Sequence, residues 1–218
     1  MNFTIEALYL LHIYNDYSDD LAFLPLESEE GLSRKDLLRK VVLKGYRDLE
    51  SMGLIVDDSV TDDCVRFGQY LREYHQSSYH YSIDQAYFVA PEVDEYKRMS
   101  VVLHRLDDGS YFLDRVTSVV LWGYIQEGHQ ILHHLDDKIK DYMHFDWEPY
   151  SAFRTIMKYG ESDALQLTIM EHGNIQEDTV YMDLEVSLYE YSISRQERRS
   201  IDSQDMVTML MKKGKVRL

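Results

Sequence analysis

The chain has 218 residues, with 39 acidic and 23 basic side chains and a formal net charge of −16. A globular protein of this length buries enough apolar surface to fold without disulfide or metal staples. The strong negative charge excludes unassisted binding to nucleic acid and to anionic membranes, because both kinds of binding need basic patches.

The charge is unevenly distributed along the chain. Residues 195–218 carry seven basic groups and three acids, whereas the rest of the chain has a charge of −20. Such a basic tail is typical of a solvated helix end or of a segment that docks on its own acidic body. The start lacks the basic region of a signal peptide, and the longest apolar runs are too short to span a bilayer. We therefore expect a cytoplasmic protein without stable membrane insertion.

The N-terminal part of the chain is predicted to be helical. Apolar spacing predicts a short helix over residues 3–15, and an apolar connector follows at Phe23-Leu24-Pro25-Leu26, where proline favours extended backbone. Residues 33–52 give the clearest helical pattern, because Ser33 can cap its start and Gly53 can end it.

The pattern changes from helix to strand after the third helix. An acidic linker over residues 57–63 leads into that helix, which is predicted at roughly 62–76. From Tyr79 the apolar period becomes two, which indicates strands. An Asp-Gly turn between Met99–Leu106 and Tyr111–Val116 predicts a β-hairpin.

The rest of the chain repeats this mixture of helix and hairpin. The predicted elements are a helix over 117–135 broken near Gly128, an extended segment at 138–146, a helix at 149–159, a strand from Ala164 to Glu171, a turn at 172–174, a returning strand from Val180 to Ser194 and a helix at 202–213.

These elements predict an α+β fold, with a mixed, antiparallel, hairpin-rich sheet and flanking helices. The simplest domain organisation is a single domain over residues 1–218. The pattern also allows two quasi-symmetric halves, 1–116 and 117–218, each with a helical part and a hairpin.

Sequence motifs for catalysis are absent, so we expect a non-enzymatic protein without a cofactor or metal. There is no phosphate-binding loop, no GxSxG and no CxxC, and Cys64 lies beside acids that disfavour a reactive thiolate. One alternative remains open, a metal-dependent hydrolase. His129 and His133 would share a helix face and, with a nearby carboxylate, could hold zinc.

Tyrosine is abundant, with 18 residues. It is favoured at interfaces because it combines a large contact area with a polar tip, although strand propensity also explains many of these positions. Tyr79, Tyr81 and Tyr87 cluster near the predicted junction of helix and sheet, and we interpret them as candidate partner-binding residues.

Several segments, in their order and spacing, resemble the cytosolic chaperones of type VII (ESX) secretion systems, the EspG family and its EsaE-like branch. The matching segments are Phe3-Thr4-Ile5-Glu6-Ala7-Leu8, the Phe23–Leu26 connector, Tyr46-Arg47-Asp48-Leu49-Glu50-Ser51-Met52-Gly53-Leu54-Ile55, Leu71-Arg72-Glu73-Tyr74, Tyr87-Phe88-Val89-Ala90-Pro91 and Asp94-Glu95-Tyr96. They cover about the first 130 residues, whereas the C-terminal part is similar only in general pattern.

The resemblance implies a mixed α/β fold with quasi-two-fold halves and a protein that binds a secretion substrate and presents it to the membrane machinery. It also implies that partner contact involves the sheet hairpin and the C-terminal helical part. The candidate partner-binding residues implied in this way are Asp107, Asp108 and Tyr111 of the hairpin, and Met206 and Met209 of the last helix.

The leading hypothesis is therefore a chaperone or targeting factor for a toxin effector or a WXG-type substrate protein, with the secretion ATPase as a further partner and with no role for nucleic acid. The alternative is an immunity protein that neutralises a secreted toxin. An acidic, aromatic-rich binder without catalytic motifs suits that role as well, especially against a basic nuclease.

Overall fold

A computed structural model describes residues 1–94, 96, 98–133, 164–184 and 187–217, and the segments predicted at 138–146 and 149–159 lie outside these residues. The α-helices are α1 (Ile5–Tyr14), α2 (Arg34–Ser51), α3 (Asp62–Gln76), α4 (Ser118–Gly128) and α5 (Ser203–Lys213). The strands are β1 (Asn2–Phe3), β2 (Ile55–Val56), β3 (Ser59–Val60), β4 (Tyr79–Ile83), β5 (Tyr87–Asp94), β6 (Met99–Arg105), β7 (Tyr111–Thr117), β8 (Ala164–Glu171), β9 (Asn174–Leu184), β10 (Ser187–Ser192) and β11 (Glu197–Ile201).

The fold is α+β, as the sequence predicts. Nine of the strands form one sheet in the order β1-β7-β6-β5-β4-β8-β9-β10-β11, and each neighbouring pair is antiparallel. The remaining two, β2 and β3, form a small hairpin of their own. No helix in the described part of the chain is long and apolar enough to cross a membrane.

The strand order is symmetric about the pair β4–β8. The first meander, β4 to β7, extends from this pair in one direction and is followed by α4, and the second meander, β8 to β11, extends in the other and is followed by α5. Hydrogen bonds join the two meanders at a seam where Tyr79 pairs with Glu171 and Ile83 with Leu167. One continuous sheet thus contains two units, each a four-stranded meander followed by a helix, and β1 extends the first side beyond β7 without a counterpart on the other.

Helices cover the two faces of the sheet in different ways. On the first face, α1, α2 and α3 pack on the first meander, and Leu8, Leu49 and Leu71 are buried against Ala90 and Leu103. On the second face, α4 and α5 share a core with both meanders, formed by Ile125, Met206 and Leu210 with the seam residues Tyr81 and Leu167. Each strand contributes apolar side chains to both cores, because successive side chains along a strand point to opposite faces of the sheet.

Helix starts follow the capping signals in the sequence. The Ser33 side chain accepts a hydrogen bond from the N–H of Asp36, and the Thr61 side chain accepts one from Cys64. Each satisfies a backbone donor that the first turn of a helix leaves free. Thr4 and Asp202 cap α1 and α5 in the same way.

Several segments differ from the prediction, among them β11, which was not expected, and α4, which ends at Gly128. The stretch from Val180 to Ser194 is not one strand, because β9 begins earlier, at Asn174, and ends at Leu184, and β10 starts again at Ser187. The acidic linker contains the β2–β3 hairpin, in which Asp57 and Asp58 adopt positive φ angles of 49° and 58°. Aspartate tolerates this left-handed backbone better than most residues do, so a turn forms without glycine.

The basic tail is part of the fold rather than a separate extension. Arg198 and Arg199 lie in β11, the edge strand, and Arg199 forms an ion pair with Glu190 of β10. Lys213 at the end of α5 forms an ion pair with Glu177, and Arg217 contacts Glu92 at 2.7 Å. The tail therefore docks on the acidic body, which is one of the two expectations from its charge.

Gly45 permits the close crossing of α1 and α2. A Cβ atom at this position would lie 2.3 Å from the carbonyl oxygen of Glu6 and 3.0 Å from Cβ of Leu10. We expect Gly45→Ala to lower the free energy of unfolding by about 1–3 kcal/mol, because the helices must separate to accommodate the methyl group. Urea denaturation measures this change.

Gly123→Ala is the matched control, since nothing lies within 4 Å of a Cβ atom added at this exposed position of α4. Alanine has the higher helix propensity, so this variant should gain up to about 1 kcal/mol. Equal stability changes in the two variants would contradict the tight crossing.

Candidate partner-binding groove

A groove of about 610 Å³ opens on the first face of the sheet, between the helical layer and the seam. Its walls come from the start of α1, one side of α2 and the connector Phe23–Leu26, and its floor comes from β4, β8 and β9. The apolar lining residues are Ile5, Phe23, Leu24, Pro25, Leu26, Leu37, Val41, Phe88, Tyr111 and Ile175. A concave, largely apolar site with a few polar groups is typical of ligand and peptide binding.

Tyr9 fixes the connector that forms one wall. Its hydroxyl donates a hydrogen bond to the carbonyl oxygen of Leu24 (2.7 Å) and accepts one from the N–H of Leu21 (3.2 Å). Burial raises the pKa of Tyr9 above its usual value, so the hydroxyl keeps its proton. Phe23 adopts a φ angle of 63° between the buried residues Leu21 and Leu24, and its ring stacks on Phe88 with centroids 6.0 Å apart.

The floor of the groove carries polar groups at the seam. Thr168 and Gln166 of β8 donate hydrogen bonds to one carboxylate oxygen of Asp178, at 3.1 and 2.7 Å. Ser82 pairs with Thr168 across the seam and is only 2% exposed. Its hydroxyl has no hydrogen-bond partner among the described residues. A buried hydroxyl without a partner is costly, and a bound ligand can supply the partner.

Charges on the rim of the groove are paired with one another. Lys44 contacts Glu6 at 2.6 Å, and Lys40 contacts Glu29 at 2.5 Å. Burial alone would raise the pKa of Glu6, but the hydrogen bond and charge of Lys44, together with hydrogen bonds from the backbone and from Thr4, outweigh it, so the pKa is lowered and the carboxylate stays ionised. The rim therefore presents neutralised pairs above apolar walls.

The predicted hairpin closes one end of the groove. Tyr111 and Gly109 are among its lining residues, and Tyr111 is 9% exposed. Asp107 and Asp108 are exposed in the turn. Asp108 accepts hydrogen bonds from the side chain and the N–H of Ser110 (2.6 and 2.8 Å), which lower the pKa of its carboxyl. Asp108 thus shapes the turn, and Asp107 is exposed beside it.

The remaining candidate residues lie on the second face and do not join this site. Tyr81 and Met206 are 3% and 0% exposed, so they are core residues and offer no partner-binding surface in the folded chain. Tyr79 donates a hydrogen bond to the carbonyl oxygen of Lys213 (2.6 Å) and so holds the end of α5. Tyr87 stacks on His104 with ring centroids 4.2 Å apart, and Met209 is half-buried.

The histidines of the hydrolase alternative have other roles. His129 contacts the carbonyl oxygen of Ile125 and a carboxylate oxygen of Asp84 through its two ring nitrogens, at 2.5 and 2.9 Å. His133 contacts the carbonyl oxygen of Gln126 at 2.7 Å. These bonds anchor the end of α4, and they engage both ring nitrogens of His129 and Nε2 of His133. Cys64 is buried, which raises the pKa of its thiol and disfavours the reactive thiolate.

The polar floor is not predictable from the sequence. Ser82 comes from β4, whereas Gln166, Thr168 and Asp178 come from the β8–β9 hairpin much later in the chain, and each is locally an ordinary polar position in an alternating strand. Only the pairing of β4 with β8 brings them together. No signal within either segment indicates that pairing.

Comparisons with known proteins assign no family to this geometry. No protein-family model matches the chain, and no curated protein sequence matches it at a significant level. A functional conclusion therefore depends on the groove itself and on the segments that resemble EspG-like chaperones.

The burial of His12 and His80 predicts that the free energy of unfolding falls in acid. Burial lowers the pKa of His12 and of His80 below the ordinary value near 6.5. The unfolded chain then binds protons that the folded chain does not, so the free energy of unfolding falls as the pH drops below 6.5. Each group contributes at most about 1.4 kcal/mol per pH unit. His80→Gln should reduce this slope in urea titrations between pH 7 and pH 5.

His129 supplies the contrasting control. Burial alone would lower its pKa, but hydrogen bonds to Asp84 and Ile125 outweigh it, and the pKa is raised. Its contribution to stability is therefore complete below pH 6.5 and is lost as the pH rises through the folded-state pKa. His129→Gln should leave the acid slope intact. An acid slope that His80→Gln does not change would contradict the role of burial at His80.

Proposed function

We propose that this chain is a cytoplasmic chaperone or targeting factor that binds a type VII secretion substrate or toxin effector and delivers it to the secretion machinery. The observation that carries the proposal is the open, apolar-walled groove at the seam, closed at one end by the β6–β7 hairpin. A chaperone needs such an accessible apolar site on a body that stays dispersed, and the net charge of −16 favours dispersion.

The architecture supports the family resemblance. An EspG-like protein is expected to have quasi-two-fold halves around a central sheet, and the strand order here is symmetric about the β4–β8 pair. The connector Phe23–Leu26, one of the segments that carry the resemblance, is also a wall of the groove. The hairpin implied as a partner-contact element borders the same groove. Two segments that the resemblance singles out therefore lie at the same groove.

The client is expected to insert an apolar segment into the groove. Lys40 and Lys44 on the rim are paired with Glu29 and Glu6, so these two lysines offer little attraction to an acidic segment. Gln166, a half-buried residue of the floor, is a polar side chain that the inserted segment can reach. A WXG-type substrate, an effector toxin and the secretion ATPase are the candidate partners, and nucleic acid is not.

An immunity protein that neutralises a toxin is the second candidate function, and the acidic body favours it for a basic toxin. Deletion of the gene distinguishes the two functions. Loss of a chaperone abolishes export of the client and leaves the cells viable, whereas loss of an immunity protein causes self-intoxication.

Ile175 provides a direct test of the groove because it lines the groove and is 61% exposed, so its replacement need not disturb the core. We expect Ile175→Asp to weaken client binding about tenfold or more, as loss of a central apolar interface contact does. The measurement is co-purification from the native cell followed by titration of the recovered client against purified protein.

Val65→Asp is the matched control, since Val65 is 60% exposed on α3 and does not line the groove. It should bind the client as the unmodified protein does. Equal client binding by both variants, or recovery of the unmodified protein without any secretion substrate or secretion ATPase, would argue against the proposal.

A further inference from the structure

The side chains of His12, Asp19 and His75 lie close together beside α1 and α3. His12 lies in α1, Asp19 follows it in the connecting loop, and His75 lies near the end of α3. Nε2 of His12 is 3.9 Å from one carboxylate oxygen of Asp19, and Nε2 of His75 is 3.7 Å from the other. One nitrogen or oxygen ligand atom from each residue can be chosen so that all three lie within 4.8 Å of one another. No other such group of three occurs among the described residues.

The surrounding structure holds the two imidazoles in place. The ring of Tyr17 lies against both of them, with centroids 4.0 Å from that of His75 and 5.2 Å from that of His12. The Tyr17 hydroxyl in turn accepts a hydrogen bond from the side chain of Gln76 at 3.0 Å. His12 is fully buried and His75 largely so, whereas the side chain of Asp19 is 66% exposed. Two ligands are thus fixed and the third is free to move.

The buried ring of His12 has one nitrogen in a hydrogen bond and one without a partner in the described part of the chain. Its Nε2 faces the carbonyl oxygen of Asp19 at 3.0 Å, and its Nδ1 has no hydrogen-bond partner among the described residues. Because a carbonyl oxygen only accepts, Nε2 carries the proton in this arrangement. Zinc at Nε2 would replace this hydrogen bond, and the proton would move to Nδ1. His129 differs, because both of its ring nitrogens are engaged.

We propose that His12, Asp19 and His75 form a binding site for zinc. Two imidazole nitrogens and a carboxylate oxygen are a donor set that zinc accepts, and water or the carbonyl oxygen of Asp19 can complete a four-coordinate shell. Bonds of about 2.0–2.2 Å at tetrahedral angles place ligand atoms about 3.4 Å apart. The observed separations are 3.9 and 3.7 Å to the two carboxylate oxygens of Asp19, and one ligand atom from each residue lies within 4.8 Å of the others, so the side chains must move closer together around the ion.

Zinc in this position would join α1, α3 and the loop that leads to the connector. The next residue, Asp20, accepts hydrogen bonds from Arg34 (2.6 Å) and from the N–H of Leu26 (3.2 Å). A metal held by Asp19 therefore restrains the loop that positions one wall of the groove. Its role is structural, because it stabilises the folded arrangement to which it binds.

Isothermal titration of the metal-stripped full chain with zinc chloride tests the site. We expect one equivalent of zinc to bind and to raise the thermal unfolding temperature. Asp19→Asn and His75→Gln should each weaken binding at least about tenfold, since loss of even an outer-shell partner has an effect of that size. Asp16→Asn removes the same charge from the same loop, and its affinity for zinc should be unchanged.

The side-chain NMR signals of the histidines provide a second readout that does not depend on the variants. Zinc should shift the imidazole signals of His12 and His75 and leave those of His104 in place. Absence of zinc binding by the unmodified chain would overturn the proposal. So would equal affinity in the double variant Asp19→Asn/His75→Gln, provided circular dichroism shows that the variant is folded.

Discussion

The antiparallel pairing of β4 with β8 is the interaction on which the rest of the structure depends. It joins two four-stranded meanders into one sheet, and its two sides have different roles. On the second face, Tyr81 and Ile169 are buried in the core beneath α5, while on the first face Ser82 and Thr168 form the floor of the groove. A shift of one residue in this register would move the core side chains to the first face and the floor side chains to the second, so the core and the groove would both be lost.

The C-terminal segment secures this arrangement from the second face. α5 packs on the seam, and the carbonyl oxygen of Lys213 accepts a hydrogen bond from the Tyr79 hydroxyl. The guanidinium of Arg98 donates another to the carbonyl oxygen of Arg217 (3.0 Å). The last residues of the second unit thus bind the strands of the first. The basic tail also binds the acidic body through its charges, because its side chains neutralise acids such as Glu92 and Glu177 within the fold.

Local signals in the sequence account for much of the fold but not for the site. The helices with capping residues and the Asp-Gly hairpin were predictable, because propensity and turn chemistry act over a few residues. The break between β9 and β10 was not, since the apolar alternation continues from Val180 to Ser194. β11 was missed because its arginines suggested a solvated tail. The groove was beyond prediction, because it needs the pairing of strands more than 80 residues apart in sequence.

Hydrogen–deuterium exchange on the chain alone and in complex with its co-purified client shows whether the groove at the seam is the partner-binding site. We expect slower exchange in the complex at the connector Phe23–Leu26, at the hairpin turn around Gly109 and along β8 and β9, with α4 and α5 unchanged. Protection confined to α4 and α5, with the connector and the hairpin turn exchanging as in the free chain, would contradict it.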